Sequence, residues 1–140
     1  MEKHGFARKM NFKLLELGST KMVFSLTHSA DTLAHYPYRF EFLIAYTLIQ
    51  NKLHVFYEVI NKDDRVIYFQ LGGHPAFAVP FQPSESYSDY YLEFEQTENA
   101  SRYFIDENGF FNNRKETVLS NSSQINLRND LFKDDALIFK

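Results

Sequence analysis

The sequence predicts an all-β fold, a sandwich or barrel of short strands. Three observations carry this. Aromatic residues are frequent, with 15 Phe and 9 Tyr in 140 residues, and aromatic side chains suit the half-buried surface of a sheet. Apolar and polar residues alternate in several stretches, as in strands with one inward face. Turn residues recur at short intervals, and no long stretch carries a helical period. A chain of this length fits one domain with a real core, so residues 1–140 are read as a single β-sandwich domain.

Asn11 to Leu17 and Lys21 to His28 read as two strands joined at Gly18-Ser19-Thr20. Ser29 is placed to cap a short helical turn that must end before Tyr36-Pro37. Arg39 to Gln50 is a long strand with Phe40, Phe42, Ile44, Tyr46 and Leu48 on one face. Its other face is also largely apolar, which predicts a central strand covered on both sides. Lys52 to Asn61 is its antiparallel partner, and Val66 to Leu71 is a further strand. After a polar loop from Gln82 to Ser88 come strands at Tyr90 to Glu95 and Arg102 to Ile105, then a turn at Asp106 to Gly109. Glu116 to Leu119, Gln124 to Leu127 and Ala136 to Phe139 are shorter candidates. The chain opens without a preceding element and stops inside its last strand, so the sandwich is expected to be incomplete at both ends. Strand edges left exposed in this way are a route to self-association.

Net charge is -3, with acids and bases interspersed. Nothing here attracts nucleic acid or an anionic membrane surface. There is no cysteine, hence neither disulfide nor thiolate metal site. The opening residues carry no apolar signal region. The most apolar stretch, Phe40 to Ile49, includes Glu41 and falls well short of the ~20 residues that span a bilayer. The expectation is a soluble protein, compatible with the cytoplasm.

Chemistry concentrates in Gln70-Leu71-Gly72-Gly73-His74-Pro75-Ala76-Phe77-Ala78-Val79-Pro80. Paired glycines permit backbone angles that other residues avoid, and Pro75 restricts His74 to extended conformations. His74 is then either an imidazole held to face a cleft or a turn residue. His4, Phe6 and Arg8 form a second set. If extended, residues 4 to 8 put a titratable ring, an apolar plate and a cation on one side, an arrangement that suits a sugar. A frayed, charged terminus is the alternative. The other histidines, His28, His35 and His54, read as surface or packed residues. No histidine pair has the spacing of a zinc helix, so no metal is expected. No nucleophile elbow or phosphate-cradling glycine loop is present. Asp134-Asp135 before the last strand reads as solvated surface on chemistry alone.

His4-Gly5-Phe6-Ala7-Arg8, Tyr36-Pro37-Tyr38 and Gly72-Gly73-His74-Pro75-Ala76-Phe77, in this order, resemble the aldose 1-epimerase (galactose mutarotase-like) family. The similarity is closest to its LacX-like and hexose-6-phosphate epimerase branches and runs to Asp135-Ala136-Leu137-Ile138-Phe139. The resemblance implies a large twisted β-supersandwich, no cofactor, and interconversion of the α and β anomers of an aldose, free or phosphorylated. It implies that His74 is the general acid for the ring oxygen, a task suited to histidine. It likewise implies that His4 and Arg8 bind substrate, that Asp135 contacts sugar hydroxyls with a register uncertain by one against Asp134, and that Phe77 forms an apolar wall.

The family's general base is a glutamate beyond the end of this chain, and the arginine segment that precedes its His-Gly motif is absent. None of Glu93, Glu95, Glu98, Glu107 or Glu116 sits in the matching motif. The expectation is therefore a fragment with acid and part of the sugar site but no base. A carbohydrate-binding or regulatory module without catalysis, and a purely structural sandwich, are the alternatives.

Overall fold

The computed structural model describes residues 4–139; Met1–Lys3, which include the opening residues read above, and Lys140 lie outside the described residues. The chain divides into two units, Met1–Gly72 and Gly73–Lys140. The first contains β1 (Lys13–Leu17), β2 (Lys21–Thr27), the helix α1 (Ala30–His35), β3 (Phe40–Ile49) and β4 (Lys52–Asn61). The strands form one antiparallel sheet in the order β1-β2-β3-β4. The second contains β5 (Tyr91–Ile105) and β6 (Phe111–Asn126), paired antiparallel. No helix among the described residues is long and apolar enough to cross a membrane.

Alternation along β3 decides the core of the first unit. Leu26, Phe42 and Val59 lie opposite one another across three strands, as do Phe24, Ile44 and Tyr57. Leu26, Phe40 and Phe42 are buried, covered by Phe6, Met10, Phe12, Tyr36 and Ile67. The strand is central, as its two apolar faces require, but cover thins towards its end, where Leu48 and Ile49 are exposed. The opposite face holds a polar set. The Ser25 hydroxyl donates to Glu41 at 3.0 Å, and Lys62 Nζ lies 3.3 Å from the same carboxylate.

α1 forms where Ser29 signals it. The Ser29 hydroxyl accepts from Thr32 N–H at 3.3 Å, and Thr32 Oγ1 accepts from Ser29 N–H at 2.8 Å. Two otherwise orphan donors are satisfied reciprocally. The helix stops at Tyr36, ahead of Pro37.

Three strand expectations change. Val66 to Leu71 forms no strand; the segment is held instead by Tyr36, whose hydroxyl donates to the Tyr68 carbonyl at 2.8 Å. The four strands expected between Tyr90 and Leu127 merge into β5 and β6. Register shifts between Glu93 and Glu98 and near Ala100 absorb the breaks in alternation that make the sequence look like separate strands. Ala136 to Phe139 contributes only a bridge between Ile138 and Tyr103. The turn between β5 and β6 is closed by the Asp106 carboxylate, which accepts from the N–H groups of Asn108 and Phe110, with Gly109 at φ 84°.

The second core gathers Leu119, Ile125, Leu127 and Leu131. Arg102 is buried beside it. Its Nε and one terminal nitrogen donate to Glu116 at 3.1 and 2.7 Å, and the other to the Leu131 carbonyl at 2.9 Å. A single side chain thus ties the segment after β6 to both strands.

Leu119→Ala leaves a cavity where a side chain only 2% exposed stood and is expected to cost about 2–5 kcal/mol in urea denaturation. The Glu41 carboxyl is held below its ordinary range, first by the Ser25 hydroxyl and then by Lys62. A lowered folded pKa stabilises above the unfolded pKa, and that stability is lost as pH falls through the folded value. Ser25→Ala is therefore expected to cost about 0.5–1.5 kcal/mol at pH ~7. The difference from the parent should shrink as pH falls below the ordinary glutamate range and the carboxyl takes up its proton, as paired urea titrations would measure.

Candidate functional site

Residues 4 to 8 are not extended. His4 and Gly5 take φ of 73° and 66°, and Ala7–Lys9 turns through one 3-10 helix, with Lys9 N–H bonded to the Phe6 carbonyl at 3.0 Å. An extended segment aligns alternate side chains, whereas a turn rotates them apart. The expected row of His4, Phe6 and Arg8 is accordingly replaced by a split. His4 and Arg8 stay exposed. Phe6 turns inward and stacks on Tyr36 at 6.0 Å and His35 at 6.2 Å, with its edge to Phe40 at 6.1 Å. It is core packing here, not an exposed plate.

Tyr36 is the hub of this half-site. Burial pushes its phenol pKa up, helped by Tyr38, whose ring lies 4.9 Å away. The Arg65 guanidinium covers Tyr38 at 4.6 Å and donates to the Pro37 carbonyl at 2.5 Å. The Asp63 carboxylate accepts from Arg39 N–H at 2.9 Å, and that bond is the main cause of its lowered pKa. Two of the motifs singled out in the sequence therefore meet, through Phe6 and Tyr36. The hydroxyl of Tyr36 also anchors, at Tyr68, the segment that leads towards His74.

His74, Phe77 and Asp135 belong to the second unit. His74 is exposed and lies in irregular chain. The expected reason for its glycines does not hold. Neither Gly72 nor Gly73 has a positive φ, and a Cβ on Gly72 would meet no atom within 4 Å. Phe77, 78% exposed, lines an apolar cavity of about 360 Å³ with Val79, Phe81, Tyr87, Tyr90 and Phe132. The Tyr90 hydroxyl accepts from Phe81 N–H at 2.7 Å and donates to Glu85. This aromatic lining was not picked out from sequence; its one signal is the run of tyrosines that follows the polar loop. Asp135 sits at φ 93° and accepts from Ala136 N–H at 2.8 Å. Its neighbour Asp134 is paired with Arg114 at 3.4 Å. Among the described residues, no three His, Asp or Glu side chains gather as a metal site.

These groups offer an exposed imidazole for proton transfer, an apolar wall for a ring face and a carboxylate for hydroxyl groups. The aldose 1-epimerase family matches residues 1–136. Among curated proteins, the plasmid and chromosomal forms of the LacX protein of Lactococcus lactis subsp. lactis are each 33% identical over 98% of this chain, which covers 47% of their length. Among solved structures, a galactose mutarotase related enzyme from Lactobacillus acidophilus is 34% identical, with a TM-score of 0.84 over 97% of this chain and 45% of its own. A galactose mutarotase-like protein from Lactobacillus casei is 30% identical, with a TM-score of 0.80 over 96% and 47%. The chain spans about half the length of these relatives. At this identity and coverage its fold is that of the galactose mutarotase-like proteins, and the chain belongs to the aldose 1-epimerase family.

Proposed function

We propose that this chain is the acid-bearing part of a sugar isomerase that interconverts the α and β anomers of an aldose. Mutarotation needs a base to take the proton of the C1 hydroxyl and an acid to protonate the ring oxygen. The ring opens, the C1–C2 bond rotates, and the carbonyl is re-attacked on its other face. In this reading His74 gives and recovers the ring-oxygen proton, His4 and Arg8 hold the sugar, and Asp135 accepts from its hydroxyls. Phe77 packs on the apolar face. Arg8 offers a planar fork of donors to a polyhydroxylated or phosphorylated substrate. The glutamate base lies outside the 140 residues, which form one partial domain of a larger sandwich in the cytoplasm.

The observation that carries the reading is the family match across residues 1–136, with the motifs in family order around His74. Backbone geometry supports it. Among the described residues, His4 and Asp135 are two of the four non-glycine residues at positive φ, and sparsely populated angles are enriched at ligand sites. A second reading is a carbohydrate-binding module without turnover.

Polarimetry of glucose and galactose with the 140-residue chain is expected to give rates near the spontaneous one; rates far above it overturn the base-less account. In a full-length form, His74→Ala is expected to slow turnover by about two to four orders of magnitude, and an unchanged rate removes His74 from the mechanism. Asp135→Gly relieves a strained backbone angle and is expected to raise or keep the unfolding midpoint while weakening sugar binding in calorimetry. Sugar binding without turnover in the full-length form selects the second reading.

A further inference from the structure

The segment that carries Asp135 forms no strand or helix beyond one bridge. Its backbone is nonetheless tied to β5 and β6 at both ends and in the middle. At its start, Leu131 is only 2% exposed, and its carbonyl accepts from a terminal nitrogen of the buried Arg102 at 2.9 Å. In the middle, Arg114 reaches Asp134 at 3.4 Å. At its end, the Ile138 carbonyl accepts from Tyr103 N–H at 2.8 Å. Asp135 lies between the last two ties, at φ 93°. A non-glycine residue keeps such an angle only where its surroundings over-determine it.

The two arginines also meet at one ring. The guanidinium carbons of Arg102 and Arg114 lie 4.6 and 3.8 Å from the centroid of Phe104, which is itself buried. Arg102 engages Glu116 through Nε and one terminal nitrogen, leaving the other for Leu131. A planar guanidinium can serve a carboxylate, a carbonyl and a ring face together, which a lysine ammonium cannot. An exposed ion pair such as Arg114 with Asp134 contributes little by itself. Here the ring restrains the guanidinium before it pairs, which lowers the side-chain entropy that pairing costs. The turn between β5 and β6 is closed separately, by Asp106. The bonds to Leu131 and Asp134 act on the segment that presents Asp135.

We propose that Arg102 and Arg114 are positioning residues for Asp135, setting the turn at residues 131–135 so that its carboxylate meets a sugar hydroxyl. The inference rests on the reading of Asp135 as a sugar-binding group and uses no step assigned to His74.

The test uses the 140-residue chain in NMR, with glucose and galactose as probes. A positive φ brings a residue's Hα close to its own amide proton, so the intraresidue NOE of Asp135 reads the turn. The Ala136 amide, which donates to the Asp135 carboxylate at 2.8 Å, reads the sugar. The expected result is a strong NOE and a saturable shift of that amide. Arg114→Ala, at an exposed side chain, should keep the melting midpoint, weaken the NOE and raise the sugar dissociation constant by about three- to tenfold. Arg102→Lys keeps the charge beside Glu116 and should act in the same way; should it fail to fold, Arg114→Ala alone decides. Asp135→Asn is the control for the reading, since asparagine tolerates the same backbone. Adding Arg114→Ala to it should cost no further affinity, because residues that act through one another are non-additive. An NOE or affinity unchanged by Arg114→Ala, beside binding weakened by Asp135→Asn, overturns the proposal. So do additive losses in the double variant, which make the effect of Arg114 a general one. Binding that is absent in the parent, or unmoved by Asp135→Asn, overturns instead the reading of Asp135 on which the proposal rests.

Discussion

The unbroken pairing of β3 with β4 is the constraint on which the first unit depends. Ten cross-strand pairs run from Phe40–Asn61 to Ile49–Lys52. Because side chains alternate across a sheet, a slip by one residue would bring Phe40 and Phe42 out to solvent and put Glu41 into the core. With the register set, Phe40 and Phe42 join Leu26 under a cover of aromatic residues from the N-terminal segment and Tyr36. Ser25 and Lys62 meet Glu41 on the other face. The placement of Phe6, and through it the turn that carries His4 and Arg8, follows from that core. In the second unit Arg102 plays a comparable part by joining β5, β6 and Leu131.

Much of this fold was legible because it is local. The bounds of β4 match the expected strand, and β3 differs by one residue at each end. The short helix was readable because Ser29 is a capping residue and Pro37 a stop. What was not legible is long-range or irregular. Val66 to Leu71 has a strand's composition, yet its visible tether is the Tyr36 hydroxyl at Tyr68 rather than a neighbouring strand. The merging of short strands into β5 and β6 depends on bulges, which break the alternation that sequence reading relies on.

The candidate site divides in the same way. Residue types and their order pointed to sugar chemistry and to a family that covers nearly the whole chain. Geometry within each motif was less readable. Gly5 and His4 take left-handed angles that send the chain into a turn, so Phe6 enters the core and leaves His4 and Arg8 outside. Gly72 and Gly73 looked like the residues a strained turn demands, and the backbone there needs no positive φ. The aromatic cavity beside Phe77 draws on residues from Val79 to Phe132, a spread that no short motif announces.

One edge of the first sheet is short and bulged, with Lys21 paired to Glu16 across it, whereas β4 is a regular edge of ten residues on which Leu53 and Phe56 are exposed. Regular edges are the ones along which sheets add strands and aggregate, so the solubility of the chain depends on this strand more than on β1.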